Sequence, residues 1–262
     1  MDALFVTRAF RYGSSFGPQC WLVLVALVLA GWDSYRHRRR DYCWILLVGM
    51  ATWTAVELGL QLSGIRVMPE HTLLGVSLPL LVSIPIQGAA EGGALALIGL
   101  FVGDRLLNRD TRPLAALALL IVCAIVVVPV IQPGDTVREV TSRRNLLAVP
   151  SVLFCTFLVG VDVVFWMRWP CFRRRAAAMF AALMAIGTSW TIAAYASGGR
   201  WIEVGGSASG TYLHASPALQ VVGLSYDVIV EFALAYVPFL AVPVMVGGIR
   251  ESRALCTKRA EI

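Results

Sequence analysis

The sequence has few charged residues and almost no lysine. Only 15% of its 262 residues are charged, against about a quarter in soluble domains, while 58% are hydrophobic and the mean hydropathy is +0.74. This balance excludes a disordered chain, a nucleic-acid binder with a basic face and an ordinary water-soluble globule. Lys258 is the only lysine and lies beyond the last apolar stretch, which excludes a retinal protein, because such proteins need a lysine in their last membrane helix.

Metal-binding and cofactor-binding motifs are also missing. The six cysteines form no CxxC pair and no other spacing typical of zinc or haem. We therefore expect no metal, nucleotide or other cofactor. The composition also argues against a nucleic-acid partner and leaves the oligomeric state open.

Long apolar stretches dominate what is present. A helix needs about 20 apolar residues to cross the hydrocarbon core of a bilayer. The sequence therefore predicts an all-α, multi-pass integral membrane protein, a single domain over 1–262 built as a bundle of about seven transmembrane helices. The predicted spans are 17–32, 42–63, 72–102, 113–132, 146–169, 176–198 and 218–249.

The basic residues predict the orientation of these spans. Arginine and lysine concentrate in connections on the cytoplasmic side, and most of the 22 here lie at 36–40, 105–112, 168–175 and 250–259. These connections alternate with less basic ones across all seven spans. We therefore expect an outside N-terminus and a cytoplasmic C-terminus.

The third and seventh spans are longer than a membrane requires and contain prolines. Pro79 and Pro85 lie in the third, and Pro238 and Pro243 in the seventh. Because proline removes a backbone hydrogen bond and clashes with the preceding turn, we expect both helices to be kinked or broken. Broken helices commonly surround a site, although tilt and packing kinks are the alternative explanation.

Five acidic residues fall within the predicted spans. Each ionised side chain near the bilayer centre costs roughly 2.5–3.5 kcal/mol on insertion scales, and no arginine or lysine lies well inside a span to neutralise one. Such acids are candidate proton donors or cation ligands. We group four as the candidate catalytic site and leave Asp162 outside it, because it lies deeper towards the cytoplasm. The four are Glu57, Glu91, Asp227 and Glu231.

Residues four apart on a helix share a face, which places further polar groups beside these acids. Trp53, Glu57 and Gln61 form one column, Gln87 and Glu91 a second, and Asp227 and Glu231 a third. Aromatic faces beside a buried acid can stabilise a cation. The predicted substrate-binding residues are Trp53, Gln61, Gln87 and Tyr226.

This layout resembles the membrane-integral terpene cyclases of meroterpenoid and indole-terpene pathways, mainly in spans one, two and seven. The stretch Gly31-Trp32 through Tyr35, then Arg38–Asp41, Tyr42 and Glu57, is similar to that family's first hairpin. The family's two initiating acids are a second-span glutamate and a last-span aspartate, which correspond to Glu57 and Asp227. The sequence departs from the family in its longer third span and in Trp53-Thr54-Ala55-Val56-Glu57, where the family has Asn-x-x-Trp-Glu.

Three classes of function follow from these observations. The resemblance implies an intramembrane enzyme that protonates an epoxide or alkene of an isoprenoid, without a metal or nucleotide. The expected partners are therefore a lipid-soluble small-molecule substrate and membrane lipids. The same carboxylates would serve a small proton- or cation-coupled transporter or channel. The third class is an assembly subunit without chemistry of its own.

Overall fold

The computed structural model describes residues 2–8, 16–62, 71–128, 140–145, 149–205 and 212–249. Seven helical stretches make up most of this part of the chain, and five of them are long and apolar enough to cross a membrane. Those five are Gly17–His37, Asp41–Leu62, Leu80–Leu107, Pro170–Ala196 and Pro217–Met245.

The helices and strands follow one another in a simple order. The strands are β1 (Asp2–Arg8), β2 (His71–Leu73), β3 (Val76–Leu78), β4 (Val140–Asn145), β5 (Arg200–Gly205) and β6 (Tyr212–His214). The α-helices are α1 (Gly17–His37), α2 (Asp41–Leu62), α3 (Leu80–Gln87), α4 (Leu95–Leu107), α5 (Arg112–Val127), α6 (Val149–Arg168), α7 (Arg173–Ala196), α8 (Pro217–Tyr226) and α9 (Val237–Met245). A short 3₁₀ turn, Pro170–Phe172, precedes α7.

Two of the helical stretches change from α- to π-helical geometry partway along. The first π segment, Gly88–Ala94, joins α3 to α4, and the second π segment, Asp227–Ala233, joins α8 to α9 through the 3₁₀ turn Leu234–Tyr236. The sequence predicted a kink or break in both helices; Leu80–Leu107 and Pro217–Met245 instead run continuously through a change of helical form. Their irregularity is mainly a π-helical segment, a form that is rare and frequent at functional sites.

The third predicted span begins too early. Residues 71–78 form the antiparallel hairpin β2–β3, and the helix begins at Leu80. The hairpin turns at Leu74 and Gly75, whose φ angles are +52° and +81°, so the chain leaves helical geometry there. Pro79 then precedes the first helical residue in an extended conformation. The predicted residues 63, 129–132 and 146–148 lie outside the described part of the chain.

A small sheet corrects the all-α prediction. Its strands pair antiparallel in the order β4-β1-β5-β6, with Phe5 opposite Ile202. These two side chains are buried with Ala215. Gln220 of α8 fixes the sheet to the last helix, because its amide accepts a hydrogen bond from Ile202 N and donates one to Ile202 O, both at 2.7 Å.

The main core lies between the helices, where α2 and the first π segment pack backbone against backbone. A Cβ on Gly49 would lie 2.6 Å from Gly92 O, and one on Gly92 would clash with Gly49 O. Gly88 and Gly93 also abut the α2 backbone. Small residues permit this approach, and it brings the second-helix and third-helix polar columns side by side.

Candidate functional site

Glu91 is the best-defined acid of the predicted site. It lies on the first π segment, and its two carboxylate oxygens accept hydrogen bonds from two different helices. Trp53 Nε1 donates to Oε2 at 3.4 Å, and Gln87 Nε2 donates to Oε1 at 3.2 Å. The structure therefore brings together three residues that the sequence placed in two separate columns.

An aromatic cluster lies against this acid. The rings of Trp53 and Tyr236 stack with centroids 5.6 Å apart, and Phe239 meets both rings edge-on at 6.3 and 5.4 Å. The Tyr236 hydroxyl donates to the backbone carbonyl of Glu91 at 2.6 Å. The aromatic cluster thus joins α2, the first π segment and the last helix around one carboxylate.

Tyr236 also marks the place where the candidate acids converge. The carboxyl groups of Glu91, Glu231 and Asp227 all lie within electrostatic range of its hydroxyl. Three of the four predicted catalytic acids therefore lie in the region of one buried tyrosine. Tyr236 is not among the predicted substrate-binding residues, although its position five residues after Glu231 was a usable signal.

The fourth acid, Glu57, is buried on α2 with only 1% of its surface exposed. It follows Trp53 by one helical turn, as its spacing predicted. One turn further, the buried Nε2 of Gln61 has no hydrogen-bond partner among the described residues. Glu57 is thus buried on α2, with Trp53 one turn before it and the half-buried Gln61 one turn after it.

Asp227 begins the second π segment and forms an ion pair. Arg200 Nη1 donates to Asp227 Oδ2 at 2.6 Å, and Thr191 Oγ1 of α7 donates to the same oxygen at 3.4 Å. The guanidinium lies between two aromatic faces, 4.5 Å from the Phe5 centroid and 4.2 Å from that of Trp190. Both contacts are short enough for cation–π attraction.

This pair corrects the expectation that no cation reaches the buried acids. Arg200 lies in the connection between the predicted spans 176–198 and 218–249, where it opens β5 four residues after the last residue of α7. Gly198, in the turn between α7 and β5, has a φ of +66°, a backbone conformation that glycine adopts readily. Proximity in the chain to Trp190 and Thr191 was the only sequence signal for this contact.

The remaining predicted residues lie around the same region. Glu231, on the second π segment, is half-buried. Tyr226 lies at the end of α8, and its hydroxyl is 2.6 Å from the Cys155 thiol of α6. Tyr226 therefore contacts α6, whereas Trp53 and Gln87 contact Glu91 directly.

A second charged cluster, which sequence reasoning missed, joins the helices at the arginine-rich end of the bundle. Arg175 of α7 donates two hydrogen bonds of 2.7 Å to Asp104 of α4 and a third of 2.7 Å to Asp41 of α2. Tyr42 donates to Asp104 at 2.9 Å. We call Asp41, Tyr42, Asp104 and Arg175 the arginine-end cluster.

The arginine-end cluster continues towards solvent through Arg39. Its Nη2 donates to Asp41 Oδ2 at 2.6 Å. Partial burial lowers the pKa of the Arg39 guanidinium, but the hydrogen bond to Asp41 and the charge of that carboxylate outweigh burial and raise the pKa above its usual value. Arg39 therefore stays charged, and the cluster ties α2, α4 and α7 together.

Within the described ranges, no group of three or more histidine, cysteine, aspartate or glutamate side chains is placed to hold a metal ion. Comparisons of the chain with protein-family models, curated proteins and solved structures found no match. The functional argument therefore rests on the geometry of the candidate site.

Proposed function

We propose that this chain is a seven-span integral membrane protein with an outside N-terminus and a cytoplasmic C-terminus. The pairing of β1, β4, β5 and β6 gathers the N-terminus and two connections into one group. The arginine-end cluster gathers the start of α2, the end of α4 and the start of α7 into another. This division supports alternating crossings, and the arginine-rich group faces the cytoplasm by the positive-inside rule.

We propose further that the protein is an intramembrane acid catalyst of the terpene-cyclase type, acting on a lipid-soluble isoprenoid. The observation that carries this proposal is the position of Glu91 beside the aromatic cluster of Trp53, Tyr236 and Phe239. A carboxylate beside aromatic faces is suited to stabilise a carbocation and then to accept its proton. The apolar surroundings would keep water from the cation.

The contacts suggest different roles for the acids. Glu57, fully enclosed on α2, would deliver its proton to an epoxide oxygen or a terminal alkene, which forms a tertiary carbocation. Ring closure would move the positive charge along the chain, and the Glu91 carboxylate would take the proton lost at the end. Proton return from Glu91 to Glu57 would complete an isomerisation without net gain or loss of atoms.

Asp227 takes a supporting role in this scheme. Its ion pair with Arg200 stabilises the ionised carboxylate, which is unsuited to donating a proton. The resemblance noted from the sequence implied Asp227 as one of two initiating acids. The Arg200 contact favours Glu57 and Glu91 for proton transfer and leaves Asp227 as a fixed negative charge beneath the sheet.

The test is a mass-spectrometric comparison of lipid extracts from membranes containing the protein, supplied with polyprenylated phenols and their epoxides. We expect a new isomer of unchanged mass with the wild type, and at least about a hundredfold less with Glu57→Gln or Glu91→Gln, because general acid–base groups contribute roughly 10²–10⁴-fold. Asp110→Asn, in an exposed turn, is the matched control. The proposal fails if no isomer forms or if both variants retain full turnover.

A second candidate function is proton- or cation-coupled transport. The observation that favours it is the pair of π segments, since interrupted helices with charged groups line the binding sites of many transporters. Transport predicts a flux of protons or solute into liposomes that Glu91→Gln or Glu231→Gln changes. Liposomes that stay impermeable to every tested solute would reject it.

A further inference from the structure

A carboxyl group outside the candidate site lies in the packing between α6 and the last helix. Leu158 and Phe165 of α6 are buried, and Asp162 lies between them at the four- and three-residue spacings that share a helix face. This face of α6 packs against α9 and the turn Leu234–Tyr236. Asp162 is thus directed into a contact that is otherwise apolar.

Neither oxygen of Asp162 has a hydrogen-bond partner among the described residues, and both are buried. Burying a carboxyl group without a hydrogen-bond partner costs several times the free energy that a hydrogen bond between packed helices contributes. Packing between helices therefore gives no reason for an acid here. A ligand that donates hydrogen bonds to these oxygens would give a reason for an acid at this position.

The neighbouring surface provides room for such a ligand. A groove of about 280 Å³ runs beside Asp162, close to the lower limit for small-molecule sites. Its other lining residues are all apolar or aromatic: Val159, Val163, Trp166, Met167 and Leu234. Met167 is 72% exposed and Val163 51%, so the groove opens on the apolar outer surface of the bundle.

We propose that this groove binds a lipid-soluble molecule consisting of an apolar chain that ends in a hydrogen-bond donor, a hydroxyl or an amine, which pairs with Asp162. The apolar lining fits the chain, and the carboxyl group supplies the single polar contact. An anionic head group is disfavoured, because it would meet Asp162 with like charge. The groove binds from the lipid phase, since its open side is the outer apolar surface.

The position of Leu234 connects this groove to the candidate site. Leu234 lines the groove, and Tyr236, two residues later in the same 3₁₀ turn, donates a hydrogen bond to the Glu91 carbonyl. An occupant of the groove therefore contacts the turn that supports the aromatic cluster. The binding itself requires no chemistry at Glu57 or Glu91.

The experiment uses the full chain in lipid nanodiscs with a photoactivatable diazirine on a C15 isoprenoid alcohol. After irradiation, peptides are mapped by mass spectrometry, and the unlabelled alcohol, its primary amine and its methyl ether compete with the probe. We expect labelling of α6 or of Leu234 that the alcohol or the amine displaces and the methyl ether, which lacks a donor, does not. The stronger competitor identifies the head group.

Variants distinguish the contribution of the Asp162 carboxyl group to labelling from that of the rest of α6. Asp162→Leu should reduce labelling about tenfold, and Asp162→Asn, which keeps an acceptor oxygen, should reduce it less. Thr156→Val, which removes an exposed hydroxyl that bonds within the same helix, is the matched control and should leave labelling unchanged. A cooperative thermal unfolding transition at a temperature close to that of the wild type shows that each variant is folded.

Several outcomes would overturn the proposal. These are the absence of labelling at the groove in the wild type, equal competition by the methyl ether, and undiminished labelling in Asp162→Leu. Labelling spread evenly over all lipid-facing helices would show general partition into the apolar surface and would also overturn it. Glu57→Gln should not change the labelling, so a failure of the proposed catalysis is distinguishable from a failure of this site.

Discussion

Arg200 and Asp227 form a short ion pair that joins the sheet to the last helix, with Nη1 and Oδ2 2.6 Å apart. Asp227 is 1% exposed, and Arg200 reaches it from between the rings of Phe5 and Trp190. The pair links β1, β5, α7 and the second π segment. Its geometry implies that each partner needs the other, because an uncompensated buried charge is costly.

We therefore predict that Arg200→Gln lowers the free energy of unfolding by about 3–5 kcal/mol, because it leaves Asp227 without its cationic partner. The double variant Arg200→Met with Asp227→Leu should recover most of this loss, since no buried charge remains. Chemical unfolding in detergent measures both. Arg109→Gln, in an exposed turn, is the control, and wild-type stability of Arg200→Gln would contradict the prediction.

Gly49 gives a prediction about the contact between α2 and the first π segment. Gly49→Ala would place a Cβ 2.6 Å from the backbone oxygen of Gly92, and a backbone oxygen cannot rotate away as a side chain can. We expect a loss of about 1–3 kcal/mol from overpacking.

Gly59 on the same helix provides the control for this substitution. A Cβ on Gly59 would meet nothing within 4 Å, so Gly59→Ala should be neutral or slightly stabilising, because alanine favours the helix. Thermal unfolding of the two variants in the same detergent compares them. Equal stability would show that the backbones are not in close contact.

Arg175 makes three hydrogen bonds in the arginine-end cluster, whereas its neighbour Arg174 is exposed. Arg175→Met should destabilise the protein by about 3–5 kcal/mol, because Asp41 and Asp104 would keep their charges without their shared partner. Arg174→Met removes one positive charge, as Arg175→Met does, and should lower the free energy of unfolding by less than about 0.5 kcal/mol. If the two variants unfold alike, Arg175 does not hold the helices together.

Trp53→Phe tests the hydrogen bond to Glu91 and keeps an aromatic ring in the cluster. The bond at 3.4 Å is long, so we expect the lower end of the range for bonds to charged groups, which corresponds to a loss of turnover of about tenfold. The measurement is product formation from the polyprenylated substrate. Trp32→Phe, at a largely exposed tryptophan, is the control. Identical losses of turnover in both variants would show that the hydrogen bond to Glu91 does not contribute to catalysis.

The polar columns show how far helical spacing carries a prediction. Gln87 and Glu91 are four residues apart and hydrogen-bonded, and Glu57 is buried one turn after Trp53. Both follow from the α-helical repeat, which is local. The contact of Trp53 with Glu91 spans 38 residues and depends on the glycines that let two helices touch, which a column on one helix cannot indicate.

The sequence by itself determined that long apolar helices dominate this protein and that carboxylates lie within them, because length, hydropathy and helical periodicity are properties of single segments. Only the tertiary structure decided which groups meet. Arg200 at the start of β5 reaches Asp227, Arg175 bridges two aspartates 71 and 134 residues away, and Tyr236 of the last helix bonds the backbone of the first π segment at Glu91. These contacts depend on how helices pack and on how short connections fold back over them. The periodicity of a single segment indicates neither.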